Sequence, residues 1–435
     1  MKDTLKRLLL VLALIGFAAC TMKPPENDAV SPGVQPVLAE SDKERIAAPA
    51  TSTGELAELV EGNQAFALDL YHYLASQEEG NLFLSPHSIS VALAMTYAGA
   101  RGETESQMAE TLHFMLSQEQ LHPAFNKLDL TLAERGYEGP DADAGGFRLS
   151  IVNALWGQQG YEFRPAFLDT LAQNYGAGMR LVDFATDAGR ARQNINDWVS
   201  TQTEQRIENL IPQDGLDELT RLVLTNAIYF NAAWATPFEE HMTEDSPFYL
   251  LDGGSVGVPM MGNTTERNYA SGPGYQVVEL PYDGYDFSMV ILLPEEGDFE
   301  DFEASLDQAK LATILDELSS ERVALTMPKF EMQSRFSLSD GLIDLGMPVA
   351  FSRQADFSGM DGTKELLISN VFHQTFVSVD EEGTEAAGAT AVVMTLKAVM
   401  PEPAAEVTVD RPFVFAIRHI ETGALLFIGR VMDPS

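Results

Sequence analysis

Two runs, LVLTNAIYF (222–230) and YDFSMVILLP (285–294), are β-branched and aromatic and carry too few polar residues to turn either face to water. Strands of that kind need cover on both sides, so the chain must build a buried sheet. VALTMPKFEM, LISNVFHQTFVSV, FVFAIRHI and ALLFIGRVM continue the strand pattern toward the C-terminus. Helical signals stand earlier. ELAELVEGNQAFALDLYHYLA has apolar residues three and four apart, and SPHSISVALAMTYAGA opens with Ser85-Pro86, a good helix start. ARQNINDWVSTQTEQRIENLI is predicted to set Ile195, Trp198, Val199, Ile207 and Leu210 on one helical face. With no regular βαβ rhythm, the pattern reads as an α+β fold. GYEGPDADAGG (136–146) reads as a surface loop, and Pro401-Glu402-Pro403 breaks any regular element.

The N-terminus has its own organisation. MKDTLKR is basic and Leu8 to Ala19 is an apolar run of twelve residues, short of the roughly 20 that span a bilayer. The run therefore reads as a signal peptide, residues 1–19. Ala18-Ala19 before Cys20, the single cysteine of the chain, resembles the cleavage box of a bacterial lipoprotein. That resemblance implies lipidation of Cys20 and export to a bacterial envelope or cell surface; cleavage elsewhere would leave a secreted protein. Residues 20–55, with Pro24, Pro25, Pro32, Pro36 and Pro49, read as a flexible linker with a reach of roughly 30 Å. Residues 56–435 then form one domain. One cysteine permits no internal disulfide, and a core of this size does without one.

The charge balance excludes several partners. Lys plus Arg number 27 against 65 Asp plus Glu, a net −38, which argues against nucleic acid, anionic lipid and heparin-like ligands. Catalytic signatures are also missing. There is no H-E-x-x-H, Walker loop or cysteine pair, and seven scattered histidines do not make a triad. The sequence thus gives no support for an enzyme, a metal centre or a cofactor.

One stretch fits neither strand nor loop: EEGTEAAGATAVV (381–393) is small and regular. It belongs to a series of segments that together resemble the serpins over nearly all of residues 60–435. NLFLSPHSISVALAMTYAGARGETESQMAETL is similar to the family's second helix and the segment after it. INDWVSTQTEQRIENLI and LVLTNAIYFNAAWATPFEEHMT resemble its Asn-x-Trp-Val helix and central strand. PKFEMQSRFSLSDGLIDLGMPVAF with ADFSGM, VDEEGTEAAGATAVV, and DRPFVFAIRHIETGALLFIGRVMDP are similar to its next signature, hinge and closing hairpin. The resemblance implies three sheets, about nine helices and an exposed reactive-centre loop. It further implies a monomeric suicide-substrate inhibitor, which traps a serine protease as an acyl-enzyme while the cleaved loop inserts into the largest sheet.

Particular residues carry this expectation. Glu381, Glu382, Gly383, Thr384, Glu385, Ala386, Ala387, Gly388 and Ala389 match the hinge. An inserted strand alternates its side chains, so Thr384, Ala386, Gly388, Thr390 and Val392 would face the core. That face has no charge to desolvate, whereas Glu385 lies on the other. Around ten new ladder hydrogen bonds at ~1 kcal/mol each would favour insertion. Ser85, Ser88, Asn226 and His373 match the polar shutter beneath the sheet. Lys329, Glu381 and Trp234 match the breach at its top, where the loop enters. The family's usual hinge-to-cleavage spacing, counted from Gly383, implies a reactive bond at Lys397-Ala398, after Leu396, which suits a trypsin-like protease. Counting back from Arg411-Pro412-Phe413 gives a later position near Met400. A noninhibitory binding lipoprotein on the same fold is the alternative.

Overall fold

The computed structural model describes residues 36–134, 148–384 and 405–435. The loop at 136–146 and the Pro401-Glu402-Pro403 break lie outside them. The first strands are β1 (Val37–Ala39), β2 (Leu82–Leu84), β3 (Arg148–Gln158), β4 (Met179–Val182), β5 (Leu222–Ala233) and β6 (Glu244–Tyr249). Next come β7 (Ser255–Gly272), β8 (Tyr275–Pro281), β9 (Phe287–Pro294), β10 (Ser319–Pro328) and β11 (Phe330–Ser337). The last are β12 (Ile368–Val379), β13 (Gly383–Thr384), β14 (Ala405–Thr408), β15 (Phe413–His419) and β16 (Leu425–Val431). The main helices are α1 (Thr53–Gln77), α2 (Pro86–Tyr97), α3 (Gly102–Thr111), α4 (Gln118–Glu134), α5 (Pro165–Tyr175) and α6 (Phe184–Gln202). With four shorter ones, the described residues hold ten α-helices, against the nine or so implied.

The strands form two sheets. One has seven strands in the order β1-β4-β3-β5-β13-β12-β11; the other has nine, β14-β10-β7-β8-β9-β15-β16-β2, with β6 on β7. A third sheet, implied by the resemblance, is not separate among the described residues. The reason is β7, which pairs with β6 over Ser255–Met260, with β10 over Met260–Tyr269 and with β8 over Asn268–Gly272. One uninterrupted 18-residue strand joins what would otherwise be two sheets.

The two runs that open the sequence argument become β5 and β9, and β9 is buried along its whole length. VALTMPKFEM is not one strand. It divides at Lys329 into β10 of the larger sheet and β11 of the smaller, because Pro328 cannot donate to a ladder and the chain changes sheets there. The apolar face from Ile195 to Leu210 also needs correction. α6 ends at Gln202, and Glu204, Gln205 and Asn209 take positive φ. Ile207 and Leu210 reach the same small core as Ile195, Val199, Trp156 and Phe184 by an irregular path. The Thr203 hydroxyl bonds Val199 O and receives Ile207 N–H, so these turns keep partners the helix would have supplied.

The folded unit also begins before residue 56. Residues 36–52, within the segment that reads as linker, lie against the domain: β1 pairs with β4, and Ile46 N–H reaches Gln173 O at 2.9 Å. Arg45 bonds Asn126 Oδ1 at 2.8 Å and Asp129 at 2.5 Å on α4, and Lys43 meets Asp169 on α5 at 2.7 Å. The strap then runs into a capping box, Ser52 with Glu55, that starts α1.

Candidate functional site

The smaller sheet has a slot at the top of its middle, between β5 and β12. β5 and β12 run parallel and pair directly from Leu222/Ile368 to Tyr229/Phe376. Above that they part, and β13 fills the gap, with Gly383 opposite Ala233 and Thr384 opposite Ala232 on β5. On its other side Thr384 pairs with Val379 of β12. The first two residues after Glu381-Glu382 are thus seated in the sheet, antiparallel to both neighbours.

A four-residue turn, Asp380 to Gly383, makes the reversal. Asp380 N–H bonds Gly383 O at 2.9 Å, and its Oδ1 accepts from Glu382 and Gly383 N–H at 2.9 and 3.1 Å. Short side chains that bond the backbone two residues on favour such turns. The turn's outward carbonyls are held from one segment: Trp234 Nε1 donates to Asp380 O, Phe238 N to Glu381 O and Trp234 N to Glu382 O. Gly383 is obligatory, since a Cβ there would stand 2.2 Å from Ala232 O. Thr384 is fully buried, its Oγ1 2.8 Å from the Tyr282 hydroxyl, and Tyr282 stacks on Trp234 with centroids 4.7 Å apart. Burial pushes the Tyr282 phenol far above its usual range, so it stays neutral in this bond.

Charge closes the top of the slot. Lys329 Nζ lies 2.6 Å from Glu381 Oε2, and Thr243 Oγ1 donates to Oε1 at 2.7 Å. Burial raises the Glu381 pKa, but these two partners outweigh it and leave the carboxylate below its ordinary value. Asp380 goes the other way, raised by burial despite its two backbone bonds. Lys329, Trp234 and Glu381, grouped from the sequence, thus stand together around one turn. Sequence reasoning missed Thr243, Asp380 and Tyr282, whose roles depend on contacts more than 100 residues apart in the last case.

Beneath the middle of the slot lies a buried polar cluster. His373 and Asn226 are cross-strand partners, and the His373 Nδ1–H donates to Asn226 Oδ1. Nε2 accepts from Ser85 N–H at 3.1 Å, which fixes the tautomer. Burial takes the His373 pKa down to about 3. Asn226 Nδ2 donates to Ser88 Oγ and to Asn153 Oδ1, while Ser85 Oγ donates to Leu426 O at 2.7 Å. Ser85 is also the N-cap of α2, so one cluster ties helix, slot strands and larger sheet together. All four sequence-derived members meet here. Asn153 on β3 was missed, although an asparagine inside the apolar run IVNALW carries the same signal as Asn226 in LTNAIYF. Glu385, Ala386, Ala387, Gly388, Ala389, Leu396, Lys397, Ala398, Met400 and Cys20 lie outside the described residues.

Comparison with known proteins agrees with this architecture. Residues 61–434 match the family described as Serpin (serine protease inhibitor). The chain is 40% identical over 382 residues to an uncharacterised serpin-like protein of Thermococcus kodakarensis, covering 88% of this chain and 87% of that one. It is 39% identical over 388 residues to leukocyte elastase inhibitor A of Rattus norvegicus, across 87% of this chain and all of the relative. Among solved structures, the thermophilic serpin tengpin in its native state superposes with a TM-score of 0.79 at 27% identity, covering 92% of this chain and all of that one. Human thyroxine-binding globulin gives 0.78 at 30% identity, over 88% of this chain and all of the other. With a match of this extent, and with hinge turn, slot and polar cluster in one sheet, the chain belongs to the serpin family of serine protease inhibitors.

Proposed function

We propose that this protein inhibits a trypsin-like serine protease by loop insertion, with Lys397-Ala398 as the bond cut. The observation that carries this reading is the seated hinge: Gly383 and Thr384 already form ladder pairs between β5 and β12. Each further loop residue would step one residue back along β5, from Thr384 opposite Ala232. On that register Met394 meets Leu222 at the base of the slot, and Thr390 comes opposite Asn226, taking the place of His373. The separation of the Asn226–His373 pair is then a step of insertion, and the threonine hydroxyl offers Asn226 a new partner. After cleavage each slot strand exchanges its present neighbour for the new one, so one ladder becomes two. This supports a favourable insertion, since each ladder bond contributes ~1 kcal/mol.

The wider setting of the reading is a monomer exported and held at a bacterial surface by a lipid on Cys20, with the protease as its covalent partner. The test is incubation with trypsin, a denaturing gel and mass analysis of the released C-terminal peptide. A boiling-stable adduct and a peptide beginning at Ala398 are expected. Cleavage with no adduct and no gain in thermal stability would instead favour a noninhibitory binding protein.

A further inference from the structure

Arg267, on β7, is a buried cation with no counter-ion among the described residues. It is 6% exposed, and among the described residues only burial acts on its ionisation. Its guanidinium stands 5.7 Å from the Phe238 ring centroid, Nη2 donates to Asn263 Oδ1 at 2.5 Å, and Nη1 is buried with no hydrogen-bond partner among the described residues. An unpaired buried charge is costly, and guanidinium does not escape that cost by deprotonating. Even pulled down to about 10, this one is charged at neutral pH. The side chain lines a cavity of about 50 Å³, shared with Trp234, Thr265, Pro281, Tyr285 and the exposed Glu266. One water needs roughly 10–15 Å³, so the space admits a small ion. The rim is unusual too: Tyr285 is 64% exposed at the tip of the β8–β9 hairpin and holds φ at 61°, a conformation β-carbon-bearing residues avoid.

We infer that Arg267 and this cavity form a binding site for one small monovalent anion of halide or formate size. The net charge of −38 does not oppose it decisively, because exposed charges beyond about 8 Å are screened at physiological salt while the buried guanidinium is not. The carboxylate of Glu266 at the rim is solvent-exposed and weakens the site without cancelling the buried cation. Occupancy would brace the segment that holds the hinge turn, since Trp234 and Phe238 both donate to it. The site does not depend on inhibitory activity, and its test does not use it. Crystals of the full protein soaked in sodium bromide should show an anomalous peak at the Arg267 guanidinium; water alone in the cavity would overturn the proposal. In solution, replacing gluconate by chloride at constant ionic strength should raise the melting temperature saturably, by about 1–2 °C at tenfold excess over the dissociation constant. Arg267→Leu should abolish that rise. An equal chloride response in wild type and R267L would mean a general salt effect and would sink the site.

Discussion

Thr384→Arg puts a charge where the seated hinge has neither room nor a partner for it. Thr384 is fully buried, and among the described residues its hydroxyl meets only the neutral Tyr282 phenol. An unpaired guanidinium there costs several kcal/mol. The cheaper response is for the hinge to leave the slot, because β13 contributes only two residues to the sheet. Thr384→Val is the graded companion: it keeps the shape, removes the hydroxyl and leaves Tyr282 unpaired, a cost of about 1–3 kcal/mol. Because that bond is made before cleavage as well as after it, the valine variant should lose native stability by that amount while inserting at close to the wild-type rate. The assay is partition after reaction with trypsin, scored on a denaturing gel as covalent adduct against cleaved free inhibitor. Mostly adduct is expected for wild type and for T384V, and only cleaved protein for T384R. Wild-type adduct yield from T384R would refute both the register and the mechanism built on it.

Other consequences are independent of the protease. His87, His122 and His373 are buried with pKa values taken down to about 4, 4 and 3, against about 6.5 when unfolded. The unfolded chain therefore binds more protons below pH 6.5, and stability should fall between pH 6.5 and about 4, by up to ~1.4 kcal/mol per pH unit for each histidine. Asp380 opposes this trend as a single raised carboxyl; urea midpoints that stay flat from pH 7 to 5 would contradict it. Arg430 is 4% exposed and holds Glu303 through Nη1 at 3.0 and 2.8 Å, so Arg430→Met should lose about 3–5 kcal/mol by denaturant titration. Arg45→Ala leaves the side-chain Oδ1 of Asn126 on α4, a fully buried residue, without that partner and should cost about 1–2 kcal/mol. An unchanged midpoint for R45A would mean the strap contributes nothing.

Much of this could be read from the chain, for identifiable reasons. β5 and β9 declare themselves because burial on both faces leaves only apolar residues. His373, Ser85, Ser88 and Asn226 were legible through the family resemblance of the segments that hold them. The strap could not be read, because its contacts are polar and aperiodic and Pro36 and Pro49 give it the composition of a linker. Ile207 and Leu210 kept a helical spacing past the helix end, since periodicity reports burial and not hydrogen bonding. The seated hinge was invisible for another reason: Thr384 pairs with Ala232 across the chain, and no local pattern encodes that register. Arg267 likewise looks like any charge in the polar stretch TTERN until β7 is folded.

The direct pairing of β5 with β12 below Thr384 bears on what a melting curve of this protein would mean. Where a chain keeps a lower-energy arrangement in reserve, heating opens two routes, unfolding and self-insertion, and the faster one decides what is seen. The apparent midpoint is then a rate quantity that moves with scan speed. Variants of the hinge, the polar cluster and the anion cavity are comparable only at one heating rate, and a slow scan should report the reserve state as a second, hotter transition.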